Sequence, residues 1–394
     1  MKYTTYYDTP ENKAENRKYV LAATNKIDYI CGVLNRIGHS VEIVSASCTS
    51  NRRGCAGKTV QLSDKTVLKL FPCIGRGNLP KRLLGRLLFK AMLFLYLITH
   101  TQKDENILVY HSLGYAGVVT LARRIKEFRL ILEVEEIYAD VNGKEQDRKK
   151  EYKVFAAADA YVFPTKLLHG MINSQKKPYA IIHGTYRAEP DRGAGFDDNR
   201  IHVLYAGTFD PRKGGAAAAA SAAAYLPEQY HIHILGFGSE KDKRVLLDVI
   251  QKSNLPGHAA VTYDGLLSGE EYIRFVQSCD IGLSTQSPDA AFNATSFPSK
   301  ILSYMANGLR VVSIRIEAVE QSAVSDLITY YDVQSPEEIA KAIMHVDLTA
   351  PYDSRRRIAE LDRQFAKDLT DMIEGLDNEN EVDKRQTSYN PRKG

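Results

Sequence analysis

The chain has 394 residues, 44% apolar and 25% charged, the balance of an ordinary globular protein whose length suits two domains of roughly 150–200 residues each. Its net charge is only +4, yet residues 1–185 hold 29 Lys and Arg against 17 Asp and Glu, and the remainder carries a net −8. The basic excess is diffuse and has no run interleaved with aromatics, which argues against nucleic acid and for an anionic partner such as membrane lipid or a phosphorylated acceptor. Five scattered cysteines form no C-x-x-C pair, and no His spacing suggests zinc. The polar N-terminus lacks the basic and apolar regions of a signal peptide, so the expected location is the reducing cytoplasm.

In chain order, short apolar runs alternate with helical patterns, the signature of parallel sheets built from βαβ units. Strands are predicted near 19–23, 40–46, 66–73, 106–111, 129–135, 160–164 and 179–183. Residues 80–101 combine Lys81, Arg82, Arg86 and Lys90 with Leu83, Leu84, Leu87 and Leu88, and read as a basic amphipathic helix. Charges interrupt it too early for a membrane span, which leaves peripheral lipid contact or packing inside the first domain, with 92–98 buried. A polar stretch rich in Gly, Pro, Asp and Arg follows, and the alternation restarts with strands near 201–205, 231–235, 261–263, 280–284, 309–314 and 327–331. The expected organisation is a Rossmann-like domain over 1–185, a linker over 186–199, a second Rossmann-like domain over 200–350, a closing helix over 351–376 and a disordered tail over 377–394.

The chemistry-bearing residues concentrate between Tyr205 and Gly308. There Tyr205-Ala-Gly-Thr-Phe-Asp-Pro-Arg-Lys-Gly214 joins a strand to an alanine-rich helix, the place where α/β folds bind phosphate through free amides and the helix dipole. Arg212 and Lys213 add cationic charge, or are merely solvated. Ser296-Phe-Pro-Ser-Lys300 opens a second helix, with Pro298 in its first turn and Gly308 beyond its end. Ser296, Ser299 and Lys300 then line a helix start at the carboxyl edge of the sheet, unless the helix is simply capped at the surface.

The order of these two motifs with Ile234-Leu-Gly-Phe-Gly238, Gly265 and Asp280-Ile-Gly-Leu-Ser resembles the retaining glycosyltransferases of family four. The resemblance covers the second domain and implies the GT-B fold, two doubly wound domains facing a cleft with a C-terminal closing helix. It implies that Gly207 and Thr208 hold the donor diphosphate with Lys213 as the catalytic lysine and Arg212 or Arg187 as a second cation. Gly236, Gly238 and Leu266 then wall the nucleotide base, and Ser296, Pro298, Ser299, Lys300 and Ser303 surround sugar and phosphate. The family's paired glutamates fall on Thr295 and Ser303, and in this the chain resembles a subgroup with Phe-Pro-Ser-Lys in their place.

In the first domain, His111 at a strand end corresponds to a family His that faces the reacting sugar, the alternative being a structurally bonded His. Of Glu133, Glu135 and Glu136, one is expected to orient the acceptor hydroxyl, with Glu135 the candidate, and Asn25 and Lys26 at a helix start are candidates for the acceptor; solvation and capping are the alternatives. No Asp-x-Asp pair is present to hold a metal against a diphosphate, so the expected enzyme uses no metal and no cofactor. The implied partners are a nucleotide diphosphate sugar, with UDP-sugar the first choice, and a saccharide or polyprenyl-linked acceptor at the inner face of the cell membrane in bacterial polysaccharide synthesis. The competing reading is a noncatalytic nucleotide-sugar-binding subunit.

Overall fold

The computed structural model describes residues 1–19, 21–45, 48–142, 144–210, 215–288, 293 and 295–388; the side chains of 21–22, 141–142 and 379–388 are left aside. The chain divides into two compact units. The first comprises Met1–Pro164, Leu168–Ile182 and Gln364–Gly394, and the second Thr165–Leu167 and His183–Arg363.

The first unit holds β1 (Lys2–Thr5), α1 (Leu21–Arg36), β2 (Val41–Ser45), β3 (Lys58–Ser63), β4 (Thr66–Leu70), α2 (Leu79–His100), β5 (Asn106–Tyr110), α3 (Leu113–Lys126), β6 (Arg129–Glu133), α4 (Tyr138–Asn142), α5 (Glu145–Ala157), β7 (Ala160–Phe163), α6 (Lys166–Ile172) and β8 (Tyr179–Ile181). Its sheet runs β3-β4-β2-β1-β5-β6-β7-β8, with every pair parallel except the β3–β4 hairpin at the edge. The strand order reverses between β1 and β5. The carboxyl ends of those two strands therefore bound the crevice in which a doubly wound sheet takes its ligand.

Two readings of this unit change. The first strand is Lys2–Thr5, and residues 21–36 are helical. A short apolar run does not distinguish strand from buried helix by itself, but Ile27, Ile30, Cys31 and Leu34 continue it at helical spacing and are all buried. Thr24, Asn25 and Lys26 thus lie inside the helix and do not cap it. The sequence reading also omitted β3, whose alternate residues are exposed along an edge that packs on little.

Helix α2 behaves differently along its length. Asn78 caps it by accepting from the Lys81 N–H at 3.3 Å, and its C-terminal half buries Phe89, Leu93, Tyr96 and Leu97 in the core of this unit. Leu83, Leu84 and Leu87 stay 49–65% exposed, and Leu95, expected to be buried, is 56% exposed. The expectation that charges interrupt this segment too early for a membrane span is corrected: by length and composition alone the helix is long and apolar enough to cross one. Its packing against α3 and the core is that of a helix belonging to the folded unit.

The second unit holds β9 (Ile201–Thr208), α7 (Gly215–Ser221), β10 (Tyr230–Phe237), α8 (Glu240–Ser253), β11 (Ala260–Gly265), α9 (Gly269–Gln277), β12 (Ile281–Ser284), α10 (Ser299–Ala306), β13 (Arg310–Ile314), α11 (Glu317–Glu320), β14 (Ile328–Tyr331) and α12 (Pro336–Met344). Its all-parallel sheet is ordered β11-β10-β9-β12-β13-β14, with the reversal between β9 and β12. Close-packed Ala216, Ala219 and Ala220 let α7 lie against it.

The last helix, α13 (Ser354–Ser388), starts in the second unit and contributes its later part to the first. Buried Ile358, Phe365, Leu369 and Ile373 fulfil the expected helical periodicity. The helix nevertheless runs past Leu376 into residues expected to be disordered. That segment is rich in Glu, Asp, Lys and Arg and has no Pro or Gly before Pro391, so no breaker stops the helix at the end of its apolar face.

Candidate functional site

In the second unit the site is built on contact between β9 and β10. Gly207 pairs in register with Gly236, whose φ of +136° and position would put a Cβ only 1.8 Å from the Gly207 carbonyl oxygen. Near their ends the two strands therefore approach each other with no side chain between them at this pair. Gly238 is similarly constrained, since a Cβ there would lie 2.9 Å from Phe209 Cβ. Leu266 is 65% exposed just after Gly265, whose φ is +91°.

Two tyrosines to which the sequence assigned no role of their own brace this strand end. Tyr205 is buried with its hydroxyl donating to the Thr208 carbonyl at 3.3 Å, and a Cβ on Gly215, the first residue of α7, would come within 2.7 Å of that hydroxyl. Tyr304, on α10, accepts a 2.8 Å hydrogen bond from the Ala206 N–H and reaches the Leu283 carbonyl at 3.4 Å. Thr285, just beyond β12, donates to the Gly215 carbonyl at 2.8 Å. The start of α7 and the later part of α10 are thereby tied to β9 and β12. A strand-end Tyr directly before a glycine turn was the one signal available for Tyr205.

Lys300 occupies the first turn of α10. Its Nζ stands 4.3 Å from the centroid of the Tyr205 ring, and a Cβ on Gly207 would lie 3.3 Å from it. The lysine is half-buried, which strengthens its field over the Gly207 turn relative to that of a solvated lysine. Pro298 is buried and Ser299 exposed at the helix start, and Ser296 is half-buried. The Ser303 and Tyr272 hydroxyls lie 3.5 Å apart, and the Thr295 carbonyl accepts from Thr165 at 3.1 Å. Arg212 and Lys213 fall outside the described residues. Arg187 is exposed in the coil before β9.

In the first unit, Lys26 and Glu135, chosen on separate grounds, form an ion pair with Nζ to Oε1 at 2.5 Å. Asn25 is exposed beside it. Glu133 lies beneath, fully buried, and takes a hydrogen bond from the Tyr3 hydroxyl. Burial first, and then the neighbouring Glu135, push the Glu133 carboxyl well above its ordinary value of 4.5. The folded chain thus holds a proton there that the unfolded chain releases. Its stability is full below pH 4.5 and falls as pH rises from that value through the raised one. Glu133→Gln, which copies the neutral carboxyl, is expected to raise the melting temperature at pH 7–8, by roughly 2–4 °C for each kcal/mol recovered, and to leave it unchanged near pH 4. A shift of equal size at both pH values would remove the proton from this account.

His111 follows β5 but is only 2% exposed, and its Nε2 is 3.0 Å from Glu151 Oε1. Glu151 also accepts from the Tyr138 and Ala139 N–H groups at 2.7 and 2.8 Å, so the carboxylate caps α4. Burial raises the Glu151 pKa, but the His111 and backbone hydrogen bonds outweigh it and hold the carboxyl below the ordinary value. The arrangement is that of the structurally bonded histidine. The other ring nitrogen of His111, Nδ1, is buried with no hydrogen-bond partner among the described residues. A cavity of about 580 Å³ that the sequence did not announce lies near the β1 end, lined by Tyr6, Asn16, Lys18, Tyr19 and Ser50.

With this geometry in hand, comparison with known proteins is informative. Residues 200–346, within the second unit, match the sequence model for glycosyl transferases group 1. No curated protein matches the chain. Among solved structures, the chain is similar to sucrose-phosphate synthase from Thermosynechococcus elongatus, with 15% identity, TM-score 0.66, and 95% of this chain and 98% of that one covered. It is similar to the E. coli trehalose-6-phosphate structure bound with UDP-2-fluoro glucose, at 12% identity, TM-score 0.66 and 96% and 98% coverage. It is also similar to the UDP-forming alpha,alpha-trehalose-phosphate synthase from Burkholderia xenovorans in complex with glucose-6-phosphate, at 11%, 0.61, 95% and 96%. Such low identities over whole chains show the fold: two Rossmann-like α/β domains of the GT-B type.

Proposed function

We propose that this chain is a metal-independent glycosyltransferase that moves a sugar from a nucleotide diphosphate, a UDP-sugar by preference, onto a saccharide or polyprenyl-linked acceptor with retention, in bacterial surface polysaccharide synthesis. The observation that carries the reading is Lys300 over the Gly207 turn, at the strand reversal of the group 1 domain. In the transfer the sugar C1–O bond breaks and its electron pair stays on the departing diphosphate, while the acceptor hydroxyl oxygen forms the new bond and gives up its proton to an oxygen of that diphosphate. Lys300, with Lys213 as the candidate that the resemblance supplies, is the group proposed to stabilise that growing charge. Glu135, held by Lys26, is the candidate to orient the acceptor, with Asn25 beside it. UDP-2-fluoro glucose and glucose-6-phosphate in similarly folded proteins support a uridine donor, and favour a small sugar phosphate as the second acceptor to try.

The test is titration of the purified chain with UDP, GDP and ADP and their sugars, followed by a product assay with each acceptor class. Saturable binding of one nucleotide together with transfer supports the reading. Binding without transfer or donor hydrolysis turns it into the noncatalytic subunit, and no nucleotide binding refutes both.

Attachment to the inner, anionic face of a membrane is part of the proposal, supported by exposed Leu83, Leu84 and Leu87 on α2 beside exposed Lys81, Arg82, Arg86 and Lys90. Burying a leucine contributes about 1.5–3 kcal/mol. Leu83→Glu with Leu87→Glu is therefore expected to lower partitioning onto vesicles containing phosphatidylglycerol by at least about tenfold, measured by co-sedimentation. Equal partitioning of the variant would exclude α2 as the contact.

A further inference from the structure

Three histidines lie together on one face of the second sheet, outside the site above. His202 is the second residue of β9 and pairs in register with His231 on β10; His233, two residues on, shares the face. One nitrogen from each lies within 4.8 Å of the others. His202 and His233 are each 3% exposed, and Phe196 stacks over both rings, at centroid distances of 4.0 and 4.9 Å.

The hydrogen bonding of this group does not close with neutral imidazoles. His202 Nε2 faces Asp198 Oδ1 at 2.8 Å, and His233 Nδ1 faces Asp264 Oδ2 at 3.2 Å. A carboxylate only accepts, so each of these outer nitrogens must carry the single hydrogen of its ring. The two inner nitrogens, His202 Nδ1 and His233 Nε2, then point lone pairs at each other across 2.9 Å. Something positive has to lie between them. The pattern of imidazole lone pairs turned inward, with each outer N–H held by a carboxylate, is how metal-binding histidines are oriented by their surroundings.

We infer that His202, His231 and His233 form a binding site for a divalent transition ion of the zinc class, with Asp198 and Asp264 orienting two of the ligands. Zn–N bonds of 2.0–2.1 Å in a tetrahedron separate ligand nitrogens by about 3.3 Å, so the two inner nitrogens need part by only about 0.4 Å. His231 is half-buried, its ring centroid 4.0 Å from that of His233, and its Nε2 is 3.1 Å from Thr262 Oγ1; to serve as third ligand its ring has to rotate off His233 and leave Thr262. The site lies at the amino ends of the strands. Gly207 and Gly236 are five positions further along them, about 16 Å away, so the ion would tie the segment with Phe196 and Asp198 to the sheet and take no part in sugar transfer.

The experiment uses the full chain, stripped with a chelator and titrated separately with Zn²⁺ and Co²⁺. Expected are one equivalent bound, a rise in melting temperature, and the visible bands of tetrahedral cobalt without a thiolate charge-transfer band. Asp264→Asn is expected to weaken affinity about 10–100-fold, and His231→Asn at least as much. Cys279→Ser is expected to leave affinity unchanged. If His233→Gln does not fold, the two milder variants still decide. Failure of the stripped chain to bind either ion would overturn the site in favour of a shared proton between the rings, and binding unaffected by His231→Asn and Asp264→Asn would place the metal elsewhere. Nucleotide binding is measured separately, and neither outcome bears on it.

Discussion

Lys213→Ala is expected to reduce turnover about 100- to 1,000-fold without lowering the melting temperature. Departure of a nucleotide diphosphate concentrates negative charge on an oxygen that carries much less in the ground state, and one preorganised donor at such an oxygen supplies about 3–4 kcal/mol. Lys213 follows the glycine-bearing end of β9, and Lys300 lies over the same strand end from α10. Lys300→Ala is therefore expected to cost a similar factor. On the proposed reading both lysines act on one leaving group, so the double variant should fall well short of the product of the single effects. Steady-state kinetics with thermal unfolding of each variant are the check. Full turnover in both single variants would remove the lysines from the chemistry, and loss confined to KM would make them ground-state contacts only.

Gly236→Ala is expected to destabilise the second unit by about 3 kcal/mol and to abolish nucleotide binding. The added methyl meets the Gly207 carbonyl oxygen at 1.8 Å, a backbone atom unable to swing aside, and the φ of +136° adds strain for any side chain. Separating β9 from β10 at this pair widens the strand ends over which Lys300 lies. Gly257→Ala is the matched control: its φ is +73° but a Cβ there meets nothing within 4 Å, so about 1 kcal/mol is expected, with binding retained. Chemical denaturation and nucleotide titration separate the two. A Gly236→Ala protein that binds nucleotide normally would show the close approach to be incidental to the site.

Much of the architecture was legible because parallel strands buried on both faces write continuous apolar runs, and their helices write a 3.6-residue period. The Tyr205–Gly214 and Ser296–Gly308 motifs were legible for a related reason, since the glycines and the proline that shape the strand end and helix start are neighbours in sequence. Where local signals were ambiguous the reading slipped. Residues 21–36 begin with a strand-like run, β1 is only four residues long, and nothing in the sequence stopped α13 at Leu376.

The histidines mark the other boundary. His202 stands 29 and 31 positions from His231 and His233, and the sequence showed no metal spacing because the register of β9 against β10 alone brings them together. The same is true of Lys26 with Glu135, 109 residues apart, and of His111, whose partner Glu151 comes from α5, two elements beyond β6. By itself, then, the sequence determined the doubly wound pattern of both halves and the two glycine-marked strand-to-helix turns, because hydrophobic period and backbone permissiveness are properties of neighbouring residues. The tertiary structure alone decided which charges are paired, which carboxyl is pushed above its ordinary range and which imidazoles converge, because burial and contact between distant strands exist only once the sheets have formed.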